Sequence, residues 1–263
     1  MAIVGTIASL WRYPVKSMRG ESMEELFVSY GGVYGDRLFA FVSSEGHKGF
    51  PFFTGRDQRQ MLRYRPRWRH PEKAARPTNQ MEAEALSDTI NPITASGPDL
   101  MLDVEAPDGG VFAIDNPALL DNLRAGLATK PDLTLLRSDK AMTDCRPLSL
   151  FSLQTAEKLS AETGLTVDLR RFRANVYLEL NSGEGFAEDH FVGRNLRLGS
   201  KVVITILARD SRCMMITLDP DTAEKSPAIH KTIAQSHENK AGVYAAVLME
   251  GMIHQGDSVE IIE

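Results

Sequence analysis

Cys213 is the residue of this sequence whose type and neighbours best suit chemistry. It follows Ser211 and Arg212 and lies just beyond 202–207, a run rich in β-branched residues that predicts a strand. A guanidinium next to a thiol stabilises the thiolate, which is the form that attacks electrophiles or binds soft metals. The ordinary alternative is a buried cysteine that packs as a small hydrophobic residue. Cys213 is therefore a candidate thiolate at the end of a strand.

A second group of residues has the chemistry to hold an anion. Lys16 supplies a point charge, Ser17 supplies a hydroxyl donor, and Arg37 adds a planar pair of donors. Arg173 precedes Asn175 at the start of a predicted strand, where a guanidinium can hold a phosphate and an amide can satisfy neighbouring backbone groups. A solvated lysine or a surface arginine is the ordinary alternative for each cation.

Ser152 is a third kind of candidate. It is predicted to cap a helix over 152–163, which ends at Gly164. The first N–H groups of a helix have no partner within the helix, so this terminus could hold an anion.

Short motifs with these residues are spread along the chain in a fixed order. They are WRYPVKS at 11–17, GDR at 35–37, DCRPLSL at 144–150, FRANV at 172–176, FAED at 186–189, SRCMMITLDPDT at 211–222 and GD at 256–257. Together they resemble the MOSC family, the C-terminal domain of molybdenum cofactor sulfurases. The nearest group has an N-terminal β-barrel extension and includes the mitochondrial amidoxime-reducing component and its bacterial counterparts. The resemblance covers roughly 1–60 and 140–263.

The resemblance implies a fold, a cofactor and a reaction. The fold would be α+β and mainly β, with an N-terminal β-rich domain over 1–125 and a MOSC β-barrel with a few helices over 126–263. The protein would be an oxidoreductase that binds the molybdenum cofactor, Mo-molybdopterin, and reduces N-hydroxylated or other N-oxygenated compounds. Cys213 would be the metal ligand. The residues that would hold the pterin and its phosphate are Lys16, Ser17, Arg37, Arg173, Ser211 and Arg212.

Two positions depart from the family pattern. Met18 stands where family members often have Cys. This position is not expected to be a ligand, so the substitution has little effect on the expected site. Ala174 stands where they usually have Pro, which loosens the local φ constraint and the placement of Arg173.

Two other functions compete with this one. A sulfur carrier or cofactor-handling protein would use Cys213 as a persulfide, which needs the same reactive thiolate. An anion-binding interaction domain would use the segment 56–76. This segment contains eight Lys or Arg and only two acidic residues, whereas the whole chain has a net charge of −5. Within this stretch arginine falls at every second position from 63 to 69, which is also typical of a charged edge strand. No nucleic-acid motif accompanies it, so a nucleic-acid partner is not expected.

Composition restricts the class of protein that this chain can be. The chain has 263 residues, 43% of them hydrophobic, which suits one large or two small globular domains. It contains two cysteines and no apolar run of membrane-spanning length, so we expect a cytoplasmic protein without a membrane segment. Two cysteines cannot hold a ferredoxin-like cluster, which predicts a separate electron donor carrying flavin or iron–sulfur. The basic edge 63–69 is a plausible dock for it.

Other polar residues favour structural roles. Cys145 is expected to be structural, and Glu188 and Asp189 are expected to pair with arginines. The six histidines show no zinc-like spacing.

Local patterns predict mainly strands. Strands are expected at 3–13, at 23–30 paired with 38–42, at 133–137 and, in the second half, at 175–180, 196–198, 202–207, 214–218, 242–249 and 259–262. Turn residues at 107–110 predict a hairpin between 100–104 and 111–114, and Asn-Pro at 116–117 opens a helix to about 128. A tight turn is expected at 44–49, and 71–98 is expected to have little regular structure.

Overall fold

The computed structural model of the protein describes residues 2–86 and 97–262. The strands within these residues are β1 (Ala2–Arg12), β2 (Glu21–Met23), β3 (Glu25–Ser29), β4 (Gly32–Val33), β5 (Phe39–His47), β6 (Phe50–Phe53), β7 (Arg65–Trp68), β8 (Leu102–Glu105), β9 (Val111–Ala113), β10 (Leu133–Arg137), β11 (Leu148–Ser152), β12 (Val176–Leu180), β13 (Asn195–Leu198), β14 (Val202–Ser211), β15 (Lys240–Met249), β16 (Gly251–His254) and β17 (Ser258–Ile262). The α-helices are α1 (Pro71–Ala75), α2 (Gln80–Leu86), α3 (Pro117–Arg124), α4 (Leu153–Thr163) and α5 (Pro227–Ser236). Short 3-10 helices span Arg59–Arg63, Gly97–Leu100, Leu169–Phe172, Ala187–Phe191 and Met214–Thr217.

Seven strands close into a barrel. Neighbours follow the order β12, β11, β15, β14, β13, β17 and β1, and β1 pairs again with β12. β11 and β12 are parallel, and the other pairs in the ring are antiparallel. The predicted class, mainly β with a barrel and few helices, is confirmed.

Alternation along β14 shows how the sequence fills the barrel. Val202, Ile204 and Ile206 are fully buried, whereas Leu207 on the opposite face is 41% exposed. Successive side chains of a strand point to opposite faces, so this pattern sends every second apolar residue inward. Each such burial stabilises the fold by about 1.5–3 kcal/mol.

The N-terminal half forms small sheets around a second core. Their strand orders are β10-β5-β6, β7-β8-β9 and β16-β3-β4. The two halves exchange strands, since β1 belongs to the barrel while β10 pairs with β5. The division at 125/126 stays a prediction about sequence segments.

Several predicted elements differ from the structure. The predicted pairing of 23–30 with 38–42 is wrong, because β3 pairs with β4 and β16 while β5 pairs with β10 and β6. β5 also continues to His47, which shortens the predicted turn at 44–49. The predicted strand at 214–218 is a 3-10 helix, in which the Thr217 hydroxyl donates to the carbonyl of Met214 at 2.7 Å. These differences arise from tertiary pairing and local side-chain capping that a strand pattern does not contain.

Helix predictions are mixed. α4 begins after the Ser152 cap and ends at Gly164 in the left-handed conformation, as predicted. α3 is capped by Asn116 as predicted but ends at Arg124 rather than near 128. The segment 71–98 contains α1 and α2, contrary to prediction, and its part 87–96 lies outside the described residues. The described helices include none with the length and apolar character needed to cross a membrane.

Candidate functional site

A cleft of about 770 Å³ brings together most of the residues selected from the sequence. Cys213, Ser211, Arg212, Arg173, Lys16, Ser17 and Arg37 all line it. Seven basic side chains and two acids, Asp144 and Asp210, contribute to its walls. The basic residues are Lys16, Arg37, Arg56, Arg146, Arg171, Arg173 and Arg212. Cations therefore dominate this cleft, whereas the net charge of the whole chain is negative.

Cys213 lies where β14 ends and the 3-10 helix Met214–Thr217 begins. Its thiol is free and partly exposed. The preceding residue is fixed by its backbone: the N–H of Arg212 donates to the carbonyl of Asn239 at 2.9 Å, and the amide of Asn239 donates back to the carbonyl of Arg212 at 2.8 Å. The strand end thus places a thiol at a defined position on the cleft.

The Arg212 guanidinium is buried but only partly satisfied. Nε donates to the carbonyl of Ala241 at 2.7 Å, and Nη1 donates to the carbonyl of Phe172 at 3.1 Å and lies 2.7 Å from a carboxylate oxygen of Asp210. Nη2 is buried and has no hydrogen-bond partner within residues 2–86 and 97–262. Gly242 has a φ of +77°, and a Cβ there would stand 3.0 Å from Nη2 and 2.8 Å from the carbonyl oxygen of Leu150, so glycine leaves room for this guanidinium.

Asp210 is the buried carboxylate of the cleft. Burial raises its pKa to about 6, against the opposing charge of Arg212. Tyr244, another residue lining the cleft, has its pKa raised by burial and by Asp210. Asp210 is therefore a buried partner of Arg212, and its charge changes with pH near neutrality.

Lys16 is held beneath the aromatic hairpin β5–β6. Its backbone N–H donates to the carbonyl of Phe39 at 2.8 Å, and Nζ donates to the carbonyl of Met142 at 2.8 Å and to a carboxylate oxygen of Asp144. Nζ also lies 4.9 Å from the ring centroid of Phe52. Burial lowers the pKa of Lys16, while Asp144 opposes this. The lysine is thus a buried cation with one acidic partner.

Arg37 and Arg173 meet at Tyr13. Their Cζ atoms lie 4.5 Å and 4.2 Å from the centroid of the Tyr13 ring. Arg37 pairs with Asp36 at 2.5 Å and donates to the carbonyl of Arg173 at 2.8 Å. Arg173 has a φ of +53°, and its Nη2 is buried with no hydrogen-bond partner in the described part of the chain. Two cations thus share one buried ring, and one of them keeps a free donor.

Local hydrogen bonds fix the turn that carries Arg173. The backbone N–H of Ala174 donates to the hydroxyl of Tyr177 at 3.2 Å, and that hydroxyl donates to the carbonyl of Leu169 at 2.9 Å. These contacts hold the turn without the proline that the family usually has. Ser17, which also lines the cleft, has a positive φ as well, +65°.

Ser152 and Asn175 do not line this cleft. The helix terminus at Ser152 is occupied by the Glu188 carboxylate, which accepts from the Ser152 hydroxyl at 2.6 Å and the Ser152 backbone N–H at 3.2 Å. An internal carboxylate, and not a bound anion, therefore occupies this helix terminus. The Asn175 amide donates to the carbonyl of Trp11 at 3.2 Å and joins β1 to the start of β12.

Sequence reasoning missed several residues of the cleft. Asp144 and Arg146 line it, although their motif was expected to be structural, while exposed Cys145 between them does not. No strand alternation separates them from Cys145, because 144–146 is an irregular segment before β11 in which all three residues are exposed. Arg56 and Arg171 had no local signal that separated them from neighbouring arginines.

The acids Glu188 and Asp189 have different roles. Asp189 lies 2.8 Å from Nε of Arg209, as expected, whereas Glu188 caps α4. The described residues contain no cluster of three or more His, Cys, Asp or Glu side chains suited to a metal. A metal bound in the cleft would thus take most of its ligands from a cofactor.

Family comparisons agree with this architecture. A model of the MOSC domain matches residues 137–260, and a model of the MOSC N-terminal beta barrel domain matches residues 4–107. The chain therefore belongs to the MOSC family, with the N-terminal β-barrel domain before the MOSC domain.

Two curated relatives are similar over most of the chain. Mitochondrial amidoxime reducing component 2 of Bos taurus is 25% identical over 237 residues, which cover 83% of this chain and 68% of the relative. Mitochondrial amidoxime-reducing component 1 of Mus musculus is 26% identical over 251 residues, which cover 83% of this chain and 67% of the relative. The crystal structure of the YUAD protein from Bacillus subtilis aligns with 98% of this chain and 95% of that chain, at 13% identity and a TM-score of 0.48.

Proposed function

We propose that this protein is a molybdenum-cofactor-binding oxidoreductase that reduces N-hydroxylated and other N-oxygenated compounds. One observation carries the proposal: a single cleft holds a partly exposed thiol, Cys213, together with buried guanidinium donors that have no hydrogen-bond partner among the described residues. The similarity to two amidoxime-reducing components adds support for the substrate class.

The residues of the cleft fit an anionic cofactor. The Nη2 atoms of Arg173 and Arg212 are buried and unsatisfied, and such donors cost free energy until a ligand accepts from them. Planar guanidinium groups suit phosphate oxygens, and Lys16 adds a point charge. We assign the cofactor to Lys16, Ser17, Arg37, Arg173, Ser211 and Arg212.

The protein residues would bind, orient and complete the cofactor. When bound, molybdopterin-held molybdenum supplies oxygen-atom transfer. Cys213 would add one soft thiolate to the metal, at a position set by the backbone pairing of Arg212 with Asn239. Burial of the surrounding cations strengthens their attraction for an anion, because the local dielectric constant is lower than that of water.

Metal and pterin analysis of protein from a cofactor-competent host tests this proposal. We expect nearly stoichiometric molybdenum with pterin, and a Cys213→Ser variant that stays folded but retains less than about a tenth of the amidoxime reduction, because oxygen suits molybdenum less well than sulfur. Cys145→Ser is the matched control, since this second free cysteine lies outside the cleft. Full activity of Cys213→Ser would remove the thiolate from the proposal.

A cofactor-handling role remains the rival that the same thiol supports. A persulfide on Cys213 without molybdenum, found by mass spectrometry of the intact protein, would favour a sulfur carrier and contradict the reductase. Absence of the persulfide from Cys213→Ser, and its presence in Cys145→Ser, would show that Cys213 carries it.

We further propose that electrons come from a separate flavin or iron–sulfur protein. The 263 residues contain two cysteines, fewer than a four-cysteine cluster needs. Reduced viologen is expected to support turnover, while NADH or NADPH alone is not. Robust turnover with a nicotinamide and no second protein would contradict this part.

A further inference from the structure

The Arg173 guanidinium is held in an unusual way. Among the described residues it has no ion pair and no side-chain hydrogen bond, and its Nη2 is buried. Its Cζ lies 4.2 Å from the centroid of the Tyr13 ring, and Tyr13 is only 2% exposed. A buried arginine usually has a carboxylate partner, and here an aromatic ring lies in that place.

A carboxylate would serve this position differently from a ring. A carboxylate accepts from the N–H groups of a guanidinium and so competes with any anionic ligand, as Asp210 does at Arg212. The face of an aromatic ring attracts the cation through its quadrupole and leaves the N–H edge free. Arg173 keeps such a free edge on the cleft, whereas neighbouring Arg37 is paired with Asp36.

The ring also offsets two unfavourable effects. Burial lowers the pKa of Arg173 to about 10, and the charge of neighbouring Arg37 lowers it further. Arg37 lies over the same ring at 4.5 Å, so two like charges are brought together at the cleft. A π face that attracts both cations reduces the cost of placing them side by side.

We propose that Tyr13 is a positioning residue for anion binding, whose ring holds the Arg173 guanidinium in place while leaving its N–H groups free for a phosphate. The inference deepens the proposed function, because that phosphate would belong to the cofactor. Tyr13 acts through Arg173 and does not itself touch the ligand.

Phenylalanine analogues at position 13 test the idea because they keep an aromatic ring in this buried position. Tyr13→Phe keeps the π face, whereas Tyr13→pentafluorophenylalanine keeps the ring but reverses its quadrupole. The measurement is the affinity of the full chain, made in a host without the cofactor, for inorganic phosphate, with thermal unfolding recorded for each variant. We expect Tyr13→Phe to bind within about threefold of wild type and the fluorinated variant about tenfold more weakly, at similar melting temperatures.

A double-mutant cycle separates positioning from general stability. Arg173→Ala should lose about tenfold in phosphate affinity, and adding the fluorinated ring to it should cost much less than it costs wild type, because Tyr13 acts mainly through Arg173 while Arg37 stays over the same ring. Losses that simply multiply would overturn the proposal, as would equal binding by the phenylalanine and fluorinated variants or no phosphate binding by wild type.

The two proposals fail in different ways. If wild-type protein from a cofactor-competent host lacks molybdenum and pterin but phosphate binding follows the ring series, the molybdenum function is wrong and the anion site stands. If pterin is present and the ring series has no effect, Tyr13 loses its role and the proposed function stands.

Discussion

Arginines lie in two parts of this molecule under opposite conditions. The cleft arginines, Arg37, Arg173 and Arg212, are packed among aromatic rings and backbone carbonyls, and two of them keep an unsatisfied buried donor. The edge arginines lie on β7, which is an outer strand of its sheet, or directly beside it, and all are exposed. They are Arg63, Arg65, Arg67 and Arg69. Arg67 and Arg69 pair across to Glu105 and Asp103 on β8 at 2.7 Å and 2.6 Å.

The contrast shows that density of charge along the sequence does not locate the site. The edge arginines form the most basic pattern in the chain, yet acids of the next strand neutralise half of them and water screens the rest. The cleft arginines lie far apart in the sequence, between 37 and 212, but burial strengthens the attraction of each one for an anion. Their surroundings, more than their number, point to a ligand.

The largest expected effect is on stability, at Arg212. Arg212→Ala should lower the free energy of unfolding by about 3–5 kcal/mol, because it leaves Asp210 buried without its partner. Urea unfolding at pH 7 measures this. Arg212→Ala combined with Asp210→Asn should recover part of the loss, and a double variant no better than the single one would mean that the ion pair is not the cause.

The free energy of unfolding measured over a pH series should reveal the contribution of the Asp210 carboxylate. The pKa of Asp210 is raised by burial to about 6 from an ordinary 3.8, so the folded protein holds this proton more tightly than the unfolded chain. Its contribution to stability is therefore full below pH 3.8 and is lost as pH rises through about 6, a loss on the order of 3 kcal/mol. Subtracting the urea-derived curve of Asp210→Asn from that of wild type isolates it.

Asp144 provides a control of opposite sign for that series. Burial raises the pKa of Asp144, but Lys16, Arg37 and Arg56 outweigh burial and lower it overall. Its contribution is therefore present above the ordinary pKa and lost as pH falls. If Asp144→Asn and Asp210→Asn changed the pH slope in the same direction, the assigned environments would be wrong.

Cofactor retention should separate the two groups of cations directly. If the cleft holds the cofactor as proposed, Lys16→Ala should weaken pterin binding by about 1.5–3 kcal/mol, because it removes a charged contact to the phosphate. Arg65→Ala removes an exposed edge charge and should leave pterin content unchanged. Fluorescence of the oxidised pterin released from each purified variant measures the difference. Equal losses in both variants would mean that overall charge, rather than the cleft, retains the cofactor.

The barrel was predictable from sequence because its strands obey a simple alternation. Val202, Ile204 and Ile206 recur at every second position, and their full burial follows from that period. Strand partners were not predictable in the same way. β3 meets β16, more than two hundred residues later, and no local pattern specifies so distant a partner.

The candidate site was predictable only where a motif singled out a residue. Lys16, Arg37, Arg173 and Cys213 stand in motifs of the family and meet in one cleft. Ser152 was selected because a helix N-terminus attracts anions, but Glu188, thirty-six residues on, occupies that terminus. A capping side chain from a distant segment leaves no mark on the local sequence.

The smallest expected effect belongs to the edge. Arg69→Ala removes an ion pair in which both side chains are largely in water, 40% and 38% exposed, so it should change the free energy of unfolding by less than about 1 kcal/mol. Pterin content should stay at the wild-type level, because the residue does not line the cleft. Urea unfolding and pterin fluorescence of the same preparation measure both. Loss of pterin comparable to that of Lys16→Ala would end the distinction between cleft and edge and would favour the basic segment 56–76 as an anion-binding surface in its own right.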